Sequence, residues 1–402
     1  MIYDIIVVGS GAAGLMIGSL VSDENVLILE KNSYPGKKLN ITGKGRCNLT
    51  NAREIDNFIK EVFTNPKFLY SSLREFDNKD LIEYVENLGV MLKEERGQRI
   101  FPVSDKARDI TNAFYDKSKA LYSFNSEVID IKKNGDLFNV ITKKDCYNSR
   151  YLILATGGLS YPLTGSTGDG YRFLKDFGHK IIPARPALVG LNSDFKYNNQ
   201  LMGLSLKNVN VIIKNKNISE FGELLFTHYG FSGPTILRLS PFIDHGDMIS
   251  IDLKPALDYK QLDDRLLREF DQNPNKDISK ILEHLMPKSM IEFFIAKLQF
   301  SPNKKSNQIS KEERKSIVNQ LKNLDFKVDS RRNFNEAVIT DGGVDIKEID
   351  PKTMESKIVS NLYVVGELLD VAANTGGFNL QIAFSTAHKA FMSIRRRLIE
   401  GN

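Results

Sequence analysis

The chain has 402 residues, 41% hydrophobic and 26% charged, a globular composition and a length beyond one ordinary domain. Lys and Arg (55) exceed Asp and Glu (50) by a net +5, which suits a phosphate-bearing cofactor but not a nucleic-acid-binding surface, so no nucleic-acid partner is expected. Two cysteines, Cys47 and Cys146, exclude a disulfide framework, an iron–sulfur cluster and a structural zinc site, and the five scattered histidines have no ligand spacing, so no metal is expected. A reducing cytoplasm is the expected setting.

In chain order, Ile5 to Val21 carries no charge, but it follows Asp4 and is broken by Gly9, Gly11, Gly14 and Gly18. Neither a targeting segment nor a membrane span is expected there. Ile2 to Val8 instead reads as a buried parallel strand. It runs into Gly9-Ser10-Gly11-Ala12-Ala13-Gly14 and a helix-compatible Leu15-Met16-Ile17. In this spacing Gly9 permits the tight turn and Gly11 lets the backbone approach a pyrophosphate. Gly14 lets the helix pack on the strand, with Ala12 and Ala13 at the helix end that faces the phosphates. A second strand, Val26 to Leu29, ends at Glu30, followed by Lys31. An acid about 20 residues past the fingerprint is placed for a ribose 2′-hydroxyl and opposes a 2′-phosphate.

Further on, Glu127 to Asp130 reads as a hairpin strand, and Leu152-Ile153-Leu154 as a strand ending in Ala155-Thr156-Gly157-Gly158. Beyond Ile181-Ile182-Pro183, Val209 to Lys214, Glu223 to Phe226 and Met248 to Leu253 have strand character. Gln261 to Phe270, Ile278 to Leu285, Lys288 to Leu298 and Ser310 to Leu324 have helical spacing, with Ser310 and Glu313 as a capping box. Asn335 to Val344 returns to strand character and is expected to rejoin the earlier strands. Near the C-terminus a strand over 361–365 leads to Gly366-Glu367 and Asp370, then to Gly376-Gly377-Phe378-Asn379-Leu380, which opens a long helix. That Gly-led helix start can set backbone N–H groups against a ligand.

An N-terminal fingerprint closed by a far C-terminal segment resembles flavoproteins of the glutathione-reductase-like superfamily, which implies non-covalent FAD. The resemblance places Val128 at the adenine and Glu367 or Asp370 at the ribityl or phosphate region. More specifically, Gly36-Lys37-Lys38-Leu39, Gly43-Lys44-Gly45-Arg46-Cys47-Asn48, Arg99-Ile100-Phe101-Pro102, Gly165-Ser166-Thr167-Gly168-Asp169 and Thr227-His228-Tyr229-Gly230-Phe231-Ser232-Gly233-Pro234 resemble the HI0933-like FAD-dependent oxidoreductases. That family includes aminoacetone-oxidase-like enzymes and bile-acid enone reductases. The likeness implies an α/β chain: a Rossmann-like FAD-binding domain with an inserted β-barrel carrying a helical subdomain. The expected parts are 1–185 and 349–402 for FAD, 186–257 and 325–348 for the barrel, and 258–324 for the helices. It also implies that Lys38, Gly45, Arg46, Cys47 and Asn48 lie beside the cofactor. Cys47 has no CxxC partner and fits a packing residue better than a redox thiol.

The expected activity is hydride transfer between flavin N5 and a small or hydrophobic organic substrate. Without a second GxGxxG, NAD(P)H can serve only as a transient donor. His228, Tyr161 and Arg99 are the candidates for a catalytic role. Ser232 is not in a Gly-x-Ser-x-Gly elbow, which excludes a hydrolase of that type. An amine oxidase releasing peroxide, an RNA-modifying flavoprotein and a non-catalytic flavin sensor stay open as alternatives, and the sequence carries no signal for oligomeric state.

Overall fold

The first strand, β1 (Ile2–Val8), buries its last four side chains, as a parallel strand covered on both faces must. In the computed structural model, which describes residues 1–195 and 198–401, β1 pairs in parallel with β2 (Val26–Leu29) and with Cys146–Leu154. Leu121–Ser123 extends the sheet beyond β2, and Leu362–Val364 pairs in parallel with the second half of Cys146–Leu154. An antiparallel hairpin, Val128–Asn134 with Leu137–Thr142, joins the first half of that same strand. The register sets Val8 beside Leu29 and Leu154, and Leu154 beside Val364, so the carboxyl ends finish level. Doubly wound folds bind ligands outside such a row of strand ends.

Between β1 and β2 runs α1 (Ala12–Leu20). Its start is possible only with glycine at two positions. A Cβ on Gly14 would stand 2.0 Å from the Gly9 carbonyl oxygen, and one on Gly9, at φ +103°, would stand 2.6 Å from the Ala155 oxygen. The C-terminal helix Phe378–Glu400 packs against α1. This unit is built from both chain ends, Met1–Pro186 and Phe334–Asn402.

The second unit is Ala187–Asn333. Its antiparallel sheet runs in the order Leu324–Lys327, Met248–Asp252, Ser205–Ile213, Ile218–Thr227, Gly230–Ser232, Leu191–Asn192, Ser330–Arg331. Laid flat, seven strands would hold their outer members about 29 Å apart. Here the two outer strands are joined by Val328 and Asp329 alone, so the sheet curls until its edges meet, as a barrel. The helices Tyr259–Gln272, Ile278–Leu282, Lys288–Leu298 and Lys311–Lys322 lie between two paired strands, and their apolar faces share the barrel's core. Phe293 stacks on Phe326 at 5.7 Å between centroids. Ser310 and Glu313 form the reciprocal cap expected from the sequence.

One strand departs from expectation. Ile339–Val344 does not rejoin the barrel; it pairs with Ile181–Ala187, and residues 334–348 belong to the first unit. The reason is contact. Gly342, at φ +100°, lies so close to Pro183 that a Cβ would meet its oxygen at 2.6 Å, and Arg185 pairs with Asp341 at 2.8 Å. Among the described residues no helix is long and apolar enough to cross a membrane, and no group of three or more His, Cys, Asp or Glu is placed to hold a metal.

Candidate dinucleotide site

A cleft opens at the level strand ends, wholly within the first unit. Gly9, Gly11, Ala12 and Ala13 form its floor, with Glu30 and Lys31 from the end of β2 beside them. Val128 lines one part, Ala155, Thr156 and Gly157 another, and Gly366, Glu367, Gly376, Gly377, Asn379 and Leu380 close it from the C-terminal segment. Lys38 and Asn48 complete the expected residues on the wall.

Three observations fit FAD to this cleft. A Cβ on Gly11 would meet nothing within 4 Å, and Gly11 has φ −71°, a backbone any residue adopts. Nothing in the protein requires glycine there, whereas a close-lying pyrophosphate does. Both α1 and the C-terminal helix begin without a side-chain cap and without an acid in the first turn. Their unsatisfied N–H groups and positive dipole ends therefore face the cleft. Finally, Thr156 lines the wall, and its buried Oγ1 has no hydrogen-bond partner among the described residues, a polar group that a ligand can satisfy.

The charged groups are organised in pairs. One Glu30 oxygen accepts from Ser10 N–H at 2.9 Å and Ser10 Oγ at 2.7 Å; the other accepts from Asn32 N–H at 2.8 Å and Nδ2 at 2.7 Å. The acid is thus held rigidly, by short-range partners, at the end of β2. Lys31 is committed to Asp169 and, at 2.6 Å, to Thr167. Lys38 donates to Glu367 at 2.6 Å and to Ser160 Oγ at 2.5 Å. The other Glu367 oxygen accepts from Ser160 Oγ and Thr340 N–H, both at 2.8 Å. Burial pushes the Glu367 carboxyl up, but the Lys38 ammonium and these donors outweigh it and hold the group below the ordinary glutamate range.

Several expected residues stand elsewhere. Gly14 and Gly158 are packing glycines; a Cβ on Gly158 would lie 2.4 Å from Thr340 Oγ1. Gly45, Arg46 and Cys47 turn off the wall because Gly43 and Lys44 both take left-handed backbone (φ +57° and +60°) and reverse the loop. Arg46 pairs with Glu95 at 2.8 Å and Asp105 at 3.2 Å, over the Phe101 ring. Asp370 accepts from Asn65 at 2.9 Å; burial, then the neighbouring Asp341, push its carboxyl up. Tyr161 (φ +52°) holds a turn, its N–H on the Phe334 oxygen at 3.0 Å, and Arg99 Nε donates to the Arg96 oxygen at 2.9 Å. His228 belongs to the second unit, exposed at a hairpin tip. The wall also takes Asn32, Thr42, Gly165, Ser166, Asp169 and Phe173; for Gly165, Ser166 and Asp169 the signal was the Gly165–Asp169 motif, read as family likeness rather than as site.

Cys47 is fully buried, and burial pushes its thiol up to about 12, so it is not a thiolate at neutral pH. Native protein is expected to react with one equivalent of a thiol reagent, at exposed Cys146, and denatured protein with two. Two fast-reacting thiols in the native state would contradict this placement.

Comparison with known proteins agrees with the geometry. The family model of the HI0933-like protein Rossmann domain matches residues 3–393. Ribosomal RNA dihydrouridine synthase of Escherichia coli K12 is 31% identical over 392 residues, covering 96% of both chains. The 3-dehydro-bile acid delta(4,6)-reductase of Clostridium scindens is 28% identical, covering 96% of this chain and 97% of that protein. A solved 3-ketosteroid delta1-dehydrogenase from Sterolibacterium denitrificans superposes with a TM-score of 0.51 at 12% identity, covering 98% of this chain and 99% of that one, a likeness of fold. The protein belongs to the HI0933-like family and is an FAD-dependent oxidoreductase.

Proposed function

We propose that this enzyme reduces a carbon–carbon double bond conjugated to a carbonyl, and that its substrate is a uracil base in ribosomal RNA. The observation that carries the reading is the 31% identity to the E. coli ribosomal RNA dihydrouridine synthase across 96% of both chains. The bile-acid reductase, at 28% over nearly the whole length, supports the same class of chemistry. The C5=C6 bond of uracil is polarised by the C4 carbonyl, much as an enone's double bond is, so one hydride-donating pocket suits both. Bound FAD, once reduced, would supply the hydride, and a proton taken up from solvent would complete the two hydrogens added across the double bond.

The protein's task is then to hold the cofactor and place the base. Gly11 and the uncapped start of α1 would take the pyrophosphate, Glu30 the adenosine ribose, and the Gly376-Gly377 helix start the flavin's pyrimidine edge. Lys38, fixed by Glu367, would stand as the wall's central cation. The electrons would come from NAD(P)H bound transiently, since no second glycine-rich strand–turn–helix occurs among the described residues.

The test is direct. The FAD-loaded enzyme is incubated anaerobically with NADH or NADPH and ribosomal RNA lacking dihydrouridine, and the digested nucleosides are weighed by mass spectrometry. A uridine gaining two hydrogens is expected. Failure on RNA together with rapid reduction of a 3-oxo-4-ene steroid would move the substrate to a small enone, the second reading, which the bile-acid reductase match favours. Failure on both would overturn the proposal.

A further inference from the structure

The hairpin of Ile218–Thr227 and Gly230–Ser232 is closed by the Thr227–Gly230 pair, so its loop is two residues, His228 and Tyr229. Two-residue hairpin loops favour Asn-Gly, Asp-Gly or a leading glycine, because their turns need positive φ at one or both central positions. Here neither central residue has positive φ, and the unusual backbone falls on Gly230 at φ +138°. Histidine and tyrosine were not chosen to make this turn. A local rule broken without local gain points to another use for the side chains.

The surroundings are shaped to seat Tyr229. A Cβ on Gly190 would meet the Tyr229 hydroxyl at 2.8 Å and its ring at 2.9 Å. Ser193 N–H donates to the Tyr229 main-chain carbonyl at 2.9 Å, which fixes the loop backbone. The Arg332 guanidinium lies 4.4 Å from the ring centroid, with Nη1 donating to Asn192 Oδ1 at 3.3 Å, while the Arg332 main-chain N–H donates to the Gly190 carbonyl at 2.9 Å. The exposed His228 imidazole stands edge-on to the same ring, 5.0 Å away at 81°. Three planar groups, two of them able to stack and one able to bond a base edge, thus meet at one hairpin tip.

Unstacked RNA bases are held on such sets: aromatic rings and guanidinium planes supply the stacking face, which is tolerant of sequence. We propose that Tyr229 and Arg332 form a stacking platform for an unpaired RNA base, with His228 contacting the base edge. This rests on the reading of RNA as substrate.

The test uses the full-length, FAD-loaded protein and a fluorescein-labelled RNA hairpin with a uridine-containing loop, titrated at fixed salt. Tyr229→Ala is expected to weaken binding about tenfold, the loss of one stacking contact. Tyr229→Phe, which keeps the ring, is expected to match wild type. Arg332→Lys keeps the charge and loses the plane, so it is expected to weaken binding several-fold with an unchanged salt dependence. Should Tyr229→Ala fail to fold, seen as loss of bound flavin, the other two variants still decide. Wild-type affinity in Arg332→Lys, or equal loss in Tyr229→Phe and Tyr229→Ala, would overturn the platform. A wild-type protein that binds no RNA and reduces a small enone would instead overturn the substrate reading beneath it.

Discussion

Gly11→Ala is expected to give a folded protein that no longer retains FAD. The new methyl meets no protein atom within 4 Å, and the backbone at φ −71° and ψ −162° already suits alanine. The apoprotein should be as stable as wild type or more so, by up to about 1 kcal/mol, because the unfolded chain loses freedom. The methyl instead projects into the floor of the cleft, where the pyrophosphate would lie against the backbone. A loss of FAD affinity of about 100-fold, or ~2.7 kcal/mol, is expected. Gly14→Ala is the control with the opposite signature, since its methyl would stand 2.0 Å from the Gly9 oxygen. It should destabilise the apoprotein by about 3 kcal/mol. Thermal melts of the apoproteins and visible spectra after FAD loading separate the two. A Gly11→Ala protein that stays yellow through gel filtration would remove the pyrophosphate from this place.

Lys38→Met should cost stability even with no cofactor bound. It leaves the Glu367 carboxylate, only about a fifth exposed, without its cation. Breaking a fully buried pair costs about 3–5 kcal/mol; with this exposure about 2–3 kcal/mol is expected. The pH dependence has a fixed sign. Glu367 titrates below its ordinary value of 4.5 in the folded chain. The pair's stabilisation is therefore complete above that value and is lost as pH falls through the lower folded value. Wild type and variant should converge in acid. The double variant Lys38→Met with Glu367→Gln should recover part of the loss at neutral pH, because no unpaired charge remains. Urea unfolding of the apoproteins at neutral and acid pH measures this. A neutral-pH difference under about 0.5 kcal/mol would mean that the pair is merely a surface contact.

The legible parts of this protein were the ones written within a short stretch of chain. The turn from β1 into α1 is fixed by three glycines in six residues, and the clash that requires Gly14 lies within that motif, at the Gly9 oxygen. The reciprocal cap of Ser310 and Glu313 is equally local. What escaped depends on distant partners. Strand character at Ile339–Val344 was readable, but not that its neighbour would be Ile181–Ala187 rather than the barrel. The family resemblance placed Arg46 beside the cofactor. Its actual partners, Glu95 and Asp105, are 49 and 59 residues away in sequence, and the left-handed turn at Gly43 and Lys44 decides which way the loop faces. Likewise Glu367 was recognised as an acid after a strand, while its cation, Lys38, stands at the far end of the chain.

The split origin of the first unit has a consequence for how the chain is made. Leu154 and Val364 sit side by side in the sheet, yet the ribosome delivers the second long after the first. At roughly 5–20 residues per second, the gap is about 10–40 s. For that interval only Leu152–Leu154, the half of the strand not covered by Leu137–Thr142, presents an unpaired parallel edge, the kind that templates aggregation. Ala187–Asn333, continuous in sequence, can fold meanwhile. The cleft stays incomplete until the Gly376-Gly377 wall has been made. Nascent chains stalled before Leu362 should therefore be the species that a chaperone meets, and they should be colourless.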